Sequence, residues 1–340
     1  MKKQIHIAQI GVGYWGPNLI RNFAQLDTVG ELTVCDLDVS RLNKISEQHP
    51  KVNVTQSFDE VLNNTDIDAV VVAIPASLHY EYARKVILAG KHVLVEKPLA
   101  MTTQDAEELV NLARNEDKIL MVGHTFLYNA AVHKAREYID NGELGDIYYI
   151  LAQRLNLGRV RQDVNALWNL APHDISIILY WLDEIPNRVS AKGLTYLQDG
   201  IEDAVFMDLD FPSGRAAHIH VSWLHPSKTR QMIIVGSRKM LIYDDVSTDA
   251  KITIYDKGID KKQIIRDLPD IKSFEQFQVM HRTGNVHIPK INFKEPLRVE
   301  CQHFVDCLIN GETPVTDGQS GLGVVKILDE AQKILDQSRQ

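Results

Sequence analysis

The sequence predicts a doubly wound α/β domain followed by an α+β domain, the second built on an open, mostly antiparallel β-sheet covered by helices. Three observations predict it. From Ile5 to Gly123, apolar runs of strand length alternate with helical patterns, the order that builds a parallel sheet with helices on both faces. A glycine-rich turn follows the first strand and opens a helix. After Gly145 the pattern changes to strands separated by tight-turn signals, which suits an antiparallel sheet with one covered face.

Each element follows from its pattern. Ile5–Ile10, Glu31–Cys35, Ala69–Ile74, His92–Val95 and Ile119–Val122 read as buried strands, since short continuous apolar runs fit strands covered on both faces. Leu19–Leu26, Leu78–Ala89 and Thr103–Asn115 carry apolar residues at helical spacing. Beyond them Ile147–Leu155, Arg188–Thr195, Asp203–Phe211, Arg215–Trp223, Gln231–Val235 and Lys239–Tyr243 are strand-like. Phe211-Pro212-Ser213-Gly214-Arg215 and Gly236-Ser237-Arg238-Lys239 read as hairpin turns. In Ala216–Trp223, His218, His220 and Ser222 alternate with Ala217, Ile219, Val221 and Trp223, placing the apolar set against helices. Leu297–Asn310 and Gly321–Leu335 close the chain as helices. The expected domains are residues 1–123 and 124–340.

Composition narrows the class. A chain of 340 residues is too long for one ordinary core. Hydrophobic content of 44% and charged content of 24% are globular values and exclude a disordered chain. A formal charge of −8 argues against nucleic-acid binding, because no basic excess is present to displace counterions. No apolar stretch has the length of a membrane span, and the N-terminus enters a strand without a signal-peptide pattern. Cys35, Cys301 and Cys307 lack CxxC spacing and read as buried thiols. These features point to a cytoplasmic location.

The turn is Gly11-Val12-Gly13-Tyr14-Trp15-Gly16. Between a strand and a helix this spacing is the Rossmann dinucleotide fingerprint: Gly11 allows the turn, Gly13 admits a pyrophosphate, and Gly16 lets helix and strand approach. Tyr14 and Trp15 lie within the same loop. Asp36 ends the second strand twenty residues beyond Gly16. A carboxylate there accepts hydrogen bonds from an adenosine ribose and repels a 2′-phosphate, so NAD(H) is favoured over NADP.

Further motifs carry a family resemblance. Ala73-Ile74-Pro75 ends the fourth strand with His79 on the next helix, Glu96-Lys97-Pro98 ends the fifth, and Gly142-Glu143-Leu144-Gly145 precedes the second domain. With the glycine fingerprint, these resemble the Gfo/Idh/MocA oxidoreductases across essentially the whole chain. Val122–Asn129, Trp168–Asp174 and His220–Trp223 are similar to its nucleotide-sugar branch, which includes UDP-N-acetylglucosamine 3-dehydrogenases of surface-polysaccharide synthesis. The resemblance implies cofactor contacts from Ile74, Pro75, His79, Glu96, Lys97 and Pro98, a cis bond before Pro98, and homodimers or homotetramers formed through the C-terminal sheet.

Hydride removal from a secondary alcohol needs a group that polarises the oxygen and one that takes the proton. Lys97 lies at the carboxyl end of a parallel strand, where open α/β sheets hold ligands. His173, read as the start of a helix His173–Leu182, titrates near neutrality and is the candidate acid/base. Relatives often carry Asp-x-x-x-His, whereas this sequence has Asn169, which can hydrogen-bond but adds no charge. His124 and Tyr128 follow the last Rossmann strand and are expected to border the pocket. Arg154 and Arg161 are candidates for a pyrophosphate, with Asn165 and Trp168 candidates for the sugar or base. No metal site is expected: His218 and His220 share a strand face without a cysteine or acidic cluster in sequence beside them. The predicted reaction is NAD-dependent oxidation of a nucleotide-sugar ring hydroxyl, at C3, to a ketone. A dehydrogenase of free polyols, a ketosugar reductase and a non-catalytic sugar sensor stand as alternatives.

Overall fold

The computed structural model describes residues 4–158, 160–259 and 281–338. Two compact units divide the chain, Met1–Asn129 with Lys294–Asp329, and Ala130–Phe293 with Glu330–Gln340. The chain therefore does not part at the single point expected after Gly123. The reason lies in helix Pro296–Asn310, whose Cys301, Phe304, Val305 and Leu308 bury in the same cluster as Leu19, Ile20 and Phe23.

The first unit is a parallel sheet of β1 (Ile5–Ile10), β2 (Val29–Cys35), β3 (Asn53–Thr55), β4 (Ala69–Val72), β5 (His92–Glu96) and β6 (Leu120–Gly123), in order β3-β2-β1-β4-β5-β6. The central strand β4 is apolar throughout because helices cover both faces: Ala69, Val70, Val71 and Val72 are all fully buried. The order reverses between β1 and β4, which opens a crevice at their carboxyl ends.

Five helices follow the strands: α1 (Gly16–Phe23), α2 (Val39–Gln48), α3 (Phe58–Asn63), α4 (His79–Leu88) and α5 (Thr103–Asn115). Side-chain caps set the starts of α2, α3 and α5. Asp38 accepts from the Ser40 amide at 2.8 Å for α2, and Thr102 accepts from the Asp105 amide at 3.1 Å for α5.

The second unit contains α6 (Ala130–Asp140) and α7 (Ala166–Leu182) beside a sheet of β7 (Ile147–Leu157), β8 (Arg188–Leu194), β9 (Ala204–Asp210), β10 (Ala216–Ser222), β11 (Leu224–Gly236), β12 (Met240–Asp244) and β13 (Ile252–Tyr255). The strands β14 (Gly258–Ile259) and β15 (His281–Arg282) pair with each other, while β16 (Val286–His287) joins the edge of the main sheet. Its order is β16-β13-β12-β11-β7-β10-β9-β8, antiparallel except for β7 with β10. The alternation read in β10 holds: Ala217, Ile219, Val221 and Trp223 are at most 2% exposed, and His218 faces outward. Ser222 is the exception, buried with its hydroxyl on the Leu224 amide.

The chain ends in α8 (Pro296–Asn310) and α9 (Gly318–Gln337), with α9 through Asp329 grouped with the first unit. Gly311 terminates α8 at φ +69°, a left-handed conformation that glycine adopts without a Cβ penalty. The three cysteines are buried and unpaired, and burial pushes the thiols of Cys35 and Cys307 up to about 11. Among the described residues no helix is long and apolar enough to cross a membrane.

Candidate active site

The crevice of the first unit is built by the glycine turn. Gly11 has φ +96°, and a Cβ there would lie 2.3 Å from the carbonyl oxygen of Ala73. A Cβ on Gly16 would meet the Gly11 carbonyl at 2.5 Å, whereas Gly13 has open space around it. Two glycines thus close the turn and the third leaves its backbone approachable, as a pyrophosphate at the start of α1 requires. Tyr14 is 87% exposed and Trp15 39%, so the loop presents aromatic surface at this edge.

Asp36 closes β2 and ties the turn down. Its carboxylate accepts from the Val12 amide at 2.6 Å and the Asp38 amide at 2.9 Å. Arg41 lies 3.8 Å from Asp36 and 3.2 Å from Asp38. The glycine geometry and the carboxylate at the end of β2 both fit an adenine dinucleotide.

At the end of β5, Glu96 is buried and Lys97 is partly exposed, and the Lys97–Pro98 bond is cis. Burial raises the Glu96 carboxyl to about 7, against the opposing pull of Lys97 and a hydrogen bond from the Trp15 side chain. His79, expected at the cofactor, is 1% exposed; its ring nitrogens lie 2.6 Å from the Pro98 carbonyl and 2.9 Å from that of Ile74. It braces the segments after β4 and β5 instead of reaching outward. Pro75 beside Ile74 is exposed.

His124 and Tyr128 follow β6 as expected, yet both are interior. His124 is 1% exposed, and burial followed by the charge of Lys97 pushes its imidazole down to about 3, so it is neutral. The Tyr128 hydroxyl lies 2.9 Å from that of Thr316, and burial raises it far above the ordinary phenol range. Neither side chain is accessible as the pocket wall the sequence suggested.

In the second unit α7 starts earlier than expected. Asn165 caps it by accepting from the Trp168 amide at 3.1 Å, and Pro172 lies inside it. The helix read as starting at His173 begins seven residues earlier, at Ala166, and runs through Pro172. His173 therefore stands within the helix, one turn after Asn169. Asn169 Oδ1 accepts from the Trp223 indole at 3.2 Å.

All four substrate candidates in this unit have partners, and three of them are buried. Arg154 is 4% exposed and forms a bidentate pair with Asp174, at 3.1 Å from Nε and 2.7 Å from Nη2. Asn165 also donates to Glu202 at 2.6 Å and Gln332 at 2.8 Å, while the Trp168 indole donates to Gln332 at 3.1 Å. These buried contacts tie α7 to its neighbours in the unit. Arg161 is partly exposed and paired with Asp163 at 2.5 Å. On the sheet, His218 pairs with Asp208, which the sequence had not placed beside it, and His220 stacks on Phe206 at 4.2 Å.

Sequence reasoning missed Glu300. It lies on α8 with no exposed surface, among the apolar positions Leu297, Cys301 and Phe304, and accepts from the Thr125 hydroxyl at 2.7 Å. An acidic residue on the apolar stripe of a helix was the available signal.

A glycine turn feeding α1, an acid ending β2 and a lysine ending β5 at the switch-point edge define a Rossmann dinucleotide-binding unit, joined in one chain to a mostly antiparallel sheet unit. The chain belongs to the Gfo/Idh/MocA oxidoreductase family: its NAD-binding Rossmann model matches residues 5–124 and its C-terminal domain model residues 132–242. UDP-N-acetylglucosamine 3-dehydrogenase of Acidithiobacillus ferrooxidans is 26% identical over 251 residues, 73% of this chain and 76% of that one. Its solved structure superposes with a TM-score of 0.81 at 21% identity, over 99% of each chain, a likeness of fold. The 2,7-anhydro-N-acetylneuraminate hydratase of Escherichia coli is 26% identical over 264 residues, 74% of this chain and 70% of that one.

Proposed function

We propose that this oxidoreductase oxidises a ring hydroxyl of a nucleotide-activated sugar, of the UDP-N-acetylglucosamine type and at C3, with NAD as acceptor. The observation that carries the redox half of this reading is Lys97: partly exposed, it ends β5 beside buried Glu96, in the unit whose glycine turn fits a dinucleotide. The sugar half is supported by similarity to the Acidithiobacillus ferrooxidans enzyme over 73% of this chain. NAD over NADP is supported by the Asp36 carboxylate, which would repel a 2′-phosphate.

The bound nicotinamide supplies a hydride acceptor at its C4. In this reading the Lys97 ammonium polarises the hydroxyl oxygen as negative charge develops there, and His173 takes the hydroxyl proton. Asn169 positions His173 from one turn away in α7. Glu96 places a carboxylate beside Lys97 and helps hold it cationic. Self-association through the outer face of the second sheet, where Tyr149 and Phe206 are exposed, belongs to the same reading.

The test is NADH formation, followed by its absorbance, with UDP-, dTDP- and GDP-sugars beside free sugars and inositol. Turnover with a UDP-sugar, competed by UDP, supports the proposal. Turnover with free polyols alone, insensitive to UDP, overturns the nucleotide-sugar part. A hydratase-type outcome, consumption of an anhydrosugar without net NADH, overturns the net oxidation.

A further inference from the structure

Glu300 has a chemistry that the proposed reaction leaves unused. Its side chain is fully buried on α8, and among the described residues no cation pairs with it. An uncompensated carboxylate in such a place is far more costly than a neutral acid. One oxygen, Oε2, is occupied by the Thr125 hydroxyl. The other, Oε1, is buried without a partner among the described residues, and so are Glu96 Oε1 and both ring nitrogens of His124. Thr125, which holds Oε2 of Glu300, lies two residues beyond Gly123 at the end of β6, and buried polar atoms left unmatched call for a proton or a water. Gly123 shapes that place: a Cβ there would lie 3.1 Å from the Glu96 carboxyl carbon, so the missing side chain lets the carboxyl sit against the end of β6.

We propose that Glu300 is a neutral carboxylic acid that directs its proton from Oε1 toward the Glu96 carboxylate, making it a positioning residue for the Glu96–Lys97 pair. The two acids differ in their surroundings. Glu96 has Lys97 and the Trp15 side chain to support its ionised form, whereas Glu300 has only a hydroxyl. Burial and the neighbouring Glu96 both push Glu300 well above the ordinary carboxylate range, in the same direction as the geometry. The other titratable groups around Glu300 supply no competing cation. Tyr128 is held by Thr316, and Cys301 is a buried thiol on the same helix. Arg21 on α1 pairs with Glu295, and His6 of β1 lies against Gly30. Glu300 thus keeps its proton while Glu96 loses its own, so Lys97 faces one negative charge and not two.

Two variants test this. Glu300→Gln keeps a neutral donor; Glu300→Leu removes it. In the protein without cofactor, above the titration of Glu96, infrared spectra of wild type should retain a carboxylic-acid carbonyl band that Glu300→Gln abolishes. NADH binding, titrated by fluorescence across pH, should keep its midpoint in Glu300→Gln and move it up by about one pH unit in Glu300→Leu, because Glu96 loses a donor to its ionised form. If Glu300 were ionised, both variants would move the midpoint down, since each removes a negative neighbour of Glu96. That result, or a wild-type spectrum without the band, overturns the proposal. Should Glu300→Leu not fold, the band and the Glu300→Gln midpoint still decide. The effect on turnover rests on Lys97 being the polarising group; the protonation state is read without substrate, so the two can fail separately.

Discussion

The indole N–H of Trp223, at the end of β10, donates to Oδ1 of Asn169 on α7 at 3.2 Å. An indole is a donor only, so this contact fixes which end of the Asn169 amide is oxygen. An aspartate at position 169 would accept the same hydrogen bond and add a charge one turn from His173. Asn169→Asp should therefore favour the imidazolium and move the acid limb of kcat/KM up by about one pH unit. Trp223→Phe removes the donor and should leave that limb in place while lowering kcat. An unmoved acid limb in Asn169→Asp would show that position 169 does not influence the catalytic acid/base.

Arg154 and Asp174 form a pair with side-chain exposures of 5% and 2%. Removing one partner leaves an uncompensated buried charge, costing about 3–5 kcal/mol. Arg154→Met or Asp174→Leu alone should lower the urea midpoint sharply, and the double variant should recover most of the loss. Equal loss in single and double variants would count against the pair. Because Arg154 is closed to solvent, UDP affinity of the folded double variant should match wild type.

Glu96 predicts a pH dependence of stability. Its carboxyl is raised to about 7 from 4.5, so the folded state binds the proton more tightly than the unfolded chain. Stability from this group is complete below the unfolded value and declines as pH rises toward 7, by on the order of 2–3 kcal/mol. Glu96→Gln should flatten the wild-type slope of urea midpoint against pH across that window. Parallel slopes in the two proteins would refute the shift.

The first unit was legible because its signals are local. Strand β1 ends at Ile10 as read, and Gly11 and Gly16 do what the fingerprint demands of them. The helices of the chain's end were also found, but pairing Cys301 and Phe304 of α8 with Leu19 and Phe23 of α1 is a contact between residues far apart in sequence, which periodicity does not encode. The partners of the substrate candidates were hidden for a related reason. Arg154, Asn165 and Trp168 are polar or amphipathic, and their pattern says nothing about whether Asp174 or Gln332 will meet them inside the fold. His124 carried the same ambiguity, and its burial decides for the interior.

Cofactor choice follows from Asp36 and Arg41. Asp36 both anchors the glycine turn through the Val12 amide at 2.6 Å and places a charge where an adenosine ribose would bind. Arg41 stands 3.8 Å away, half-exposed, its guanidinium turned to Asp36 and Asp38. Asp36→Ser removes the repulsion and frees Arg41 for a 2′-phosphate. Preference for NAD over NADP, read as the ratio of kcat/KM, should fall by about tenfold or more, corresponding to about 1.4 kcal/mol. Asp36→Asn should lose less NAD affinity than Asp36→Ser, since the amide oxygen can still accept from Val12. If Asp36→Ser kept the wild-type ratio, the carboxylate would be an anchor of the turn alone, and cofactor choice would have to be set elsewhere on β2 or α2.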